Sequence, residues 1–243
     1  MTLAWTSDRI GPICRSAQDA ALVYAYIHGA DDTDRASRNM PFNYKEQADL
    51  RSLKIAYARN YIDTLPEAGQ EKKVIRTLES AGIKVVPIDF PSNLHTNDLL
   101  VMIWAAESAA AFDPLTRSGR DEQMVQQWRD RYPNVFRSAR LIPAVEYINI
   151  TRLRYLVMQQ AFPLLSQYDV IIVPSMADEP MALTCLTGNP CITLPSGFLP
   201  NGSPASITFI GGKLYSEATI AAFAKKFQSL TNYHLQHPVM FER

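Results

Sequence analysis

The sequence has no excess of charge of either sign. Its 24 lysines and arginines balance 24 acids, so the formal net charge is zero. A neutral chain has no global electrostatic reason to seek nucleic acid or an anionic membrane, and neither is expected as a partner. Long hydrophobic runs are missing too, falling far short of the about 20 apolar residues a membrane span requires. Asp8, Arg9 and Arg15 break any signal-peptide core near the N-terminus. Cysteine is sparse. Cys14, Cys185 and Cys191 form an odd set that suits free thiols in a reducing, cytoplasmic setting better than a disulfide framework. The common catalytic signatures are absent as well: no G-x-S-x-G, no Walker loop, no G-x-G-x-x-G and no S-x-x-K. His234 and His237 stand three apart without a third ligand at useful spacing. Cys185 and Cys191 lack the visible cationic neighbour that a catalytic thiolate needs. No metal and no cofactor is expected.

What is present is an alternation of short β-branched runs with helical patterns. "RSAQDAALVYAYIHG" carries helical spacing, with Ser16 placed to cap it and Gly29 to end it. "LKIAYAR", a helix closing on Gly82, and "IKVVPIDF" follow in β-α-β order, which predicts a parallel pair. Helices are expected over 96–115 and 143–165, then a buried central strand at "YDVIIVPS". Two more strands, "PCITLPSG" and "ASITFIGG", flank the turn "FLPNGSP", and Ser216 opens a closing helix. The expected class is α/β, a single domain over 1–243 with one mixed sheet covered by helices on both faces.

Two features invite chemistry. Residues 183–198, "LTCLTGNPCITLPSGF", hold no charge across sixteen positions and are interrupted by Gly188, Pro190, Pro195 and Gly197. Residues 113–154 hold eight arginines, no lysine and five acids. Guanidinium forks suit carboxylate or phosphate recognition, and equally suit ion pairs between helix faces. Arg140 precedes an apolar run in "ARLIPAVEY", where its head group could point inward.

Residues 3–37 resemble the amidase signature family's "S-x-D-x-I-G-P-x-x-R-S-x-x-D-A-A-L" followed by "I-x-G-x-D-x-x-D". The matches are Asp8, Ile10, Gly11, Pro12, Arg15, Ser16, Asp19, Ala20, Ala21 and Leu22, then Ile27, Gly29, Asp31 and Asp34. "LTGNPCITLPSGF" is similar to the late family segment "L-x-G-x-P-x-x-x-x-P-x-G", and the middle of the chain looks like an amidase or glutamyl-tRNA amidotransferase A-subunit branch. The resemblance implies the C-terminal half of the amidase signature fold and a family role in hydrolysing the C–N bond of carboxylic amides. It implies that the late segment lines the acyl-substrate cavity, where an uncharged wall lets a backbone approach a neutral amide.

The family's nucleophilic serine, bridging cis-serine and lysine base lie in segments this sequence does not contain. It has no "G-S-S-G-G" and no "G-G-S-I-R". No catalytic residue is therefore assigned, and the chain alone is expected to be inactive. It reads as an excised or mis-started piece, as a half that pairs with a separate N-terminal half, or as a non-catalytic remnant. A small-molecule amide is the expected substrate once the halves are joined, and self-association is expected of the half alone. By alignment with amidotransferase A subunits, Arg140 and Asp178 would hold the α-carboxylate and α-amine of an amino-acid amide, with Arg137 and Glu179 as near alternatives.

Overall fold

The computed structural model describes residues 3–31, 33–34, 37–45, 50 and 52–238. Helix α1 (Ala17–Ile27) comes first, followed by strand β1 (Ile55–Ala58), the short α2 (Arg59–Ile62), α3 (Gln70–Ser80) and β2 (Val85–Ile88). Then come α4 (Thr96–Ala111), α5 (Asp113–Arg117), α6 (Tyr132–Ala139) and α7 (Ala144–Leu165). The chain closes with β3 (Val170–Pro174), α8 (Asp178–Thr187), β4 (Cys191–Phe198), β5 (Pro204–Gly211) and α9 (Glu217–Thr231). The five strands form one mixed sheet in the order β2-β1-β3-β5-β4. β1 runs parallel to β2 and β3, while β5 runs antiparallel to β3 and β4. The β-α-β order in the sequence thus does give a parallel pair.

Side chains alternate across a strand, so a sheet buried on both faces needs apolar residues at every position of its centre. β3 meets that demand with five buried residues in a row. Its Val170 and Ile172 join one core with α1, α3 and α9, and its Ile171 and Val173 join the other with α4, α7 and α8. Phe209 of β5 anchors the first core, packing edge-on against Phe223 and Phe227 of α9.

Two details differ from expectation. The helix expected over 96–115 breaks at Phe112, because Pro114 in the first turn of α5 has no N–H to continue the earlier ladder. Residues 183–187 complete α8, since nothing before Gly188 interrupts the helix. Gly188 takes the left-handed conformation at φ +93° that ends it. Ser216 does precede α9, but its hydroxyl donates to the Lys213 carbonyl at 2.6 Å and does not cap the helix.

Ser16, by contrast, caps α1 as expected. Its oxygen accepts from the Asp19 N–H at 3.0 Å, and its hydroxyl donates to the Asp19 carboxylate at 2.7 Å. Further along, Asn189 makes up for a missing donor. Pro190 lies opposite Gly211 and accepts its N–H at 2.8 Å, but has no N–H to return. The buried Asn189 side chain donates to the Gly211 carbonyl instead, at 2.7 Å. Next to it, Gly212 has no room for a methyl group, because a Cβ would collide with the Leu165 and Tyr168 carbonyl oxygens. Gly212→Ala should therefore lower stability by about 3 kcal/mol, read as an earlier denaturant midpoint at unchanged slope. A midpoint equal to that of the parent would refute this account of the β5–α7 junction.

Candidate functional site

The site begins with the way residues 3–9 are held. Glu107 of α4 is only 1% exposed, yet it carries a carboxylate. That group accepts from the Thr6 N–H at 3.1 Å, the Thr6 hydroxyl at 2.6 Å and the Tyr147 hydroxyl at 2.8 Å. Burial, followed by the Glu107 hydrogen bond and charge, pushes the Tyr147 phenol up to about 12. Arg154 of α7 donates to the Leu186 carbonyl at 2.8 Å, the Thr6 carbonyl at 3.1 Å and the Cys185 carbonyl at 3.3 Å. Arg9 reaches the Cys185 and Asn189 carbonyls at 3.2 and 3.5 Å. The N-terminal segment is thus tied to α4, α7 and the end of α8 by hydrogen bonds to charged groups, the stronger kind.

Past Arg9, residues 9–16 run along one wall of a cleft of about 1030 Å³. Ala17, Ala20, Ala21 and Tyr24 of α1 extend that wall. The facing wall is Gly188, Pro190 and residues 191–195, and Ile220 and Ala221 of α9 also line the cleft. The two motif-bearing stretches therefore meet across one space. The second wall is uncharged throughout, as its sequence requires. Charge enters from elsewhere. Arg15 Nη1 lies 3.2 Å from His237 Nε2, which accepts when the ring carries its one proton on Nδ1. Burial, then the Glu217 charge and hydrogen bond, pushes the Tyr24 phenol up to about 12. Sequence reasoning missed Arg9, Arg15, Tyr24, Glu217 and His237 as cleft residues. Arg15 alone carried a signal, through its place in the R-S motif.

Arg140 and Asp178 lie elsewhere. Arg140 ends α6, is about a third exposed (32%), and pairs with Asp113, which also receives Arg117 at 2.7 Å. These two guanidinium groups hold the Asp113 carboxyl below the usual carboxylate range. Asp178 is exposed in the first turn of α8. Among the described residues no hydrogen bond or ion pair joins it to Arg140, and neither lines the cleft. Of the near alternatives, Arg137 is paired with the buried Asp121 at 2.6 Å, and Glu179 accepts from the Tyr61 hydroxyl at 2.9 Å. Most of the arginine bias thus serves ion pairs and helix ends. Ser196 is buried, and its hydroxyl meets no partner among the described residues, so no base there activates it. The three cysteines are free.

Residues 2–187 match the family model described as Amidase. The A subunit of the glutamyl-tRNA(Gln) amidotransferase of Geobacillus kaustophilus (strain HTA426) is 28% identical over 286 aligned positions, covering 99% of this chain and 58% of that protein. Those positions outnumber the 243 residues here, so that relative carries segments within the matched region that this chain lacks. The peptide amidase of Stenotrophomonas maltophilia superposes with a TM-score of 0.75 at 22% identity, over 100% of this chain and 57% of its own. The corresponding amidotransferase protein of Thermotoga maritima does so at 0.73 and 21% identity, over 95% and 54%. At such identities the likeness is one of fold. The chain spans a little over half the length of the curated relatives it matches.

Glu107→Ala should strand the Thr6 and Tyr147 donors and free residues 3–9, at a cost of about 2 kcal/mol. Tryptic cleavage after Arg9 and Arg15 should then quicken well before global unfolding. Cleavage no faster than in the parent chain would show that Glu107 does not hold this wall.

Proposed function

Because the chain belongs to the amidase signature family, we propose that it supplies the substrate-cavity half of an amide hydrolase and depends on another polypeptide segment for its nucleophile. The observation that carries this reading is the meeting of residues 9–16 and 188–195 across one cleft. Both stretches resemble family segments, the first within the residues 2–187 that match the family model, and they are far apart in sequence. An uncharged strand and small residues suit a neutral amide group.

Amide hydrolysis needs a nucleophile, a base and donors for the oxyanion. In this reading the present chain contributes none of the three, and its work is to bind and orient the amide. The joined protein acts on a small carboxylic amide, without cofactor or metal, and without nucleic acid or membrane as a direct partner. Three free thiols fit a cytoplasmic setting. Among the described residues no helix is long and apolar enough to cross a membrane.

A second reading is favoured by the relatives' own description as amidotransferase A subunits. In it the substrate is glutamine, with Arg140 holding the carboxylate and Asp178 the amine. Arg140 has guanidinium donors beyond those committed to Asp113, and Asp178 has no competing partner among the described residues.

The purified chain should neither hydrolyse aryl or aliphatic amides nor react with a serine-directed fluorophosphonate. Turnover together with labelling of any serine, Ser196 included, would overturn the proposal. Co-expression with the unmatched portion of an amidase-family relative should restore hydrolysis. In that restored complex, Arg140→Ala should weaken glutamine turnover about tenfold or more while sparing a neutral amide. Equal loss on both substrates, or none on either, would remove Arg140 from carboxylate binding.

A further inference from the structure

Next to the cleft lies a smaller recess of about 190 Å³ that shares Tyr24, Phe42 and Glu217 with it. It sits where the end of α1, the stretch from Arg38 to Phe42 and the entry to α9 meet. Gly29 turns the chain after α1 at φ +111°. The Asn39 side-chain oxygen then accepts the Ala30 N–H at 2.8 Å and draws the second stretch back against the helix. Phe42 thereby meets Tyr24 edge-on with ring centroids 4.9 Å apart, while His28 stacks on Tyr24 at 5.5 Å. Tyr215 adds a fourth ring from the left-handed region at φ +59°, an outlier for so bulky a residue. Burial does not explain its place, because the residue is half exposed (50%). Such strain at a cavity points to a use.

The polar content of the recess narrows that use. Glu217 is partly buried in the first turn of α9, where the helix N-terminus favours its charge. Among the described residues no ion pair neutralises it. Ring faces and a carboxylate both attract a cation, and an alkylated ammonium suits rings best because it has few N–H groups to leave unpaired. The volume lies below the about 300–1,000 Å³ of drug-sized sites, so the ligand is small. Arg38 also lines the recess, where it donates to the Ser37 carbonyl at 3.0 Å. Its charge disfavours a second cationic group on the ligand and favours a carboxylate. We propose that the recess binds the trimethylammonium head of a small molecule, its methyl groups against Tyr24, Phe42 and Tyr215 and its charge offset by Glu217. The site stands apart from the amide reading, and residues of this chain alone build it.

The test titrates the whole chain with tetramethylammonium, choline and glycine betaine, following its aromatic ring signals by NMR. All three should give saturable shifts. The neutral alcohol in which a tert-butyl group replaces choline's trimethylammonium should bind about tenfold more weakly or worse. Glu217→Gln should weaken choline binding by about tenfold or more. Tyr215→Gly removes a ring and the left-handed strain together. It should melt no earlier than the parent yet bind choline about fivefold more weakly, a split that a merely structural tyrosine would not produce. Arg38→Gln separates the sources: loss confined to glycine betaine assigns a ligand with a carboxylate, and equal affinity for betaine and choline in parent and variant assigns an uncharged tail. Equal binding of choline and its neutral analogue would overturn the ammonium assignment. So would parental affinity in both Glu217→Gln and Tyr215→Gly, or the absence of saturable shifts with every probe.

Discussion

The last carbonyls of a helix have no donors within it, and a buried helix end must find them elsewhere. α8 ends inside the protein, and two arginines from distant parts of the chain supply the donors. Arg154 comes from α7 and Arg9 from the N-terminal segment, and both reach the Cys185 carbonyl. This sharing brings two like charges close together, and burial together with the Arg9 charge lowers the Arg154 pKa. Glu107 offsets part of that cost and anchors Thr6 as well. The position of residues 9–16, and with it one whole wall of the cleft, follows from how α8 is terminated. The opposite wall follows from the same place. Gly188 stops the helix, Asn189 fastens the chain to β5, and β4 begins two residues later.

The uncharged stretch is therefore not one structural object. Its first part is a buried helical turn, its middle a left-handed stop, and its last part an edge strand with a register shift between Pro195 and Gly197. What these parts share is proximity to main chain. A charged side chain in any of them would have to be buried against backbone carbonyls or interrupt the edge of the cleft, and an unpaired buried charge is costly. The absence of charge is thus a requirement of packing that also leaves a surface able to accept a neutral ligand or another backbone.

Much of the fold was legible because the sheet is strongly patterned. "VIIVP" could hardly be anything but a central strand, and the β-α-β order fixed the parallel pair. Ser16 announced α1 through its spacing to Asp19. The site was less legible, because its polar residues meet only after the chain ends come together. Arg9 and Asn189 are 180 positions apart, and Arg15 and His237 are 222 apart, so no local period links them. The arginine cluster misled for a related reason. Composition shows that guanidinium groups are many, but not that Arg137 meets Asp121 or that Asp113 takes both Arg117 and Arg140.

Edge strands in folded proteins are usually protected by charge, by proline or by a bulge that turns the edge away. β4 has Pro195 and the register shift at its far end, but only Cys191 and Thr193, both uncharged, where its main chain is bare. Protection is therefore concentrated at one end of the strand. A lysine in place of Thr193 would have shielded that edge, and its absence leaves the groups free for pairing. The exposed apolar residues Ile10 and Ile13 point the same way, since both stand across the cleft. Scattered singly, such residues would carry no message. Placed together on the wall that faces an unshielded strand edge, they let further polypeptide on this side of the sheet bury exposed backbone and apolar surface together.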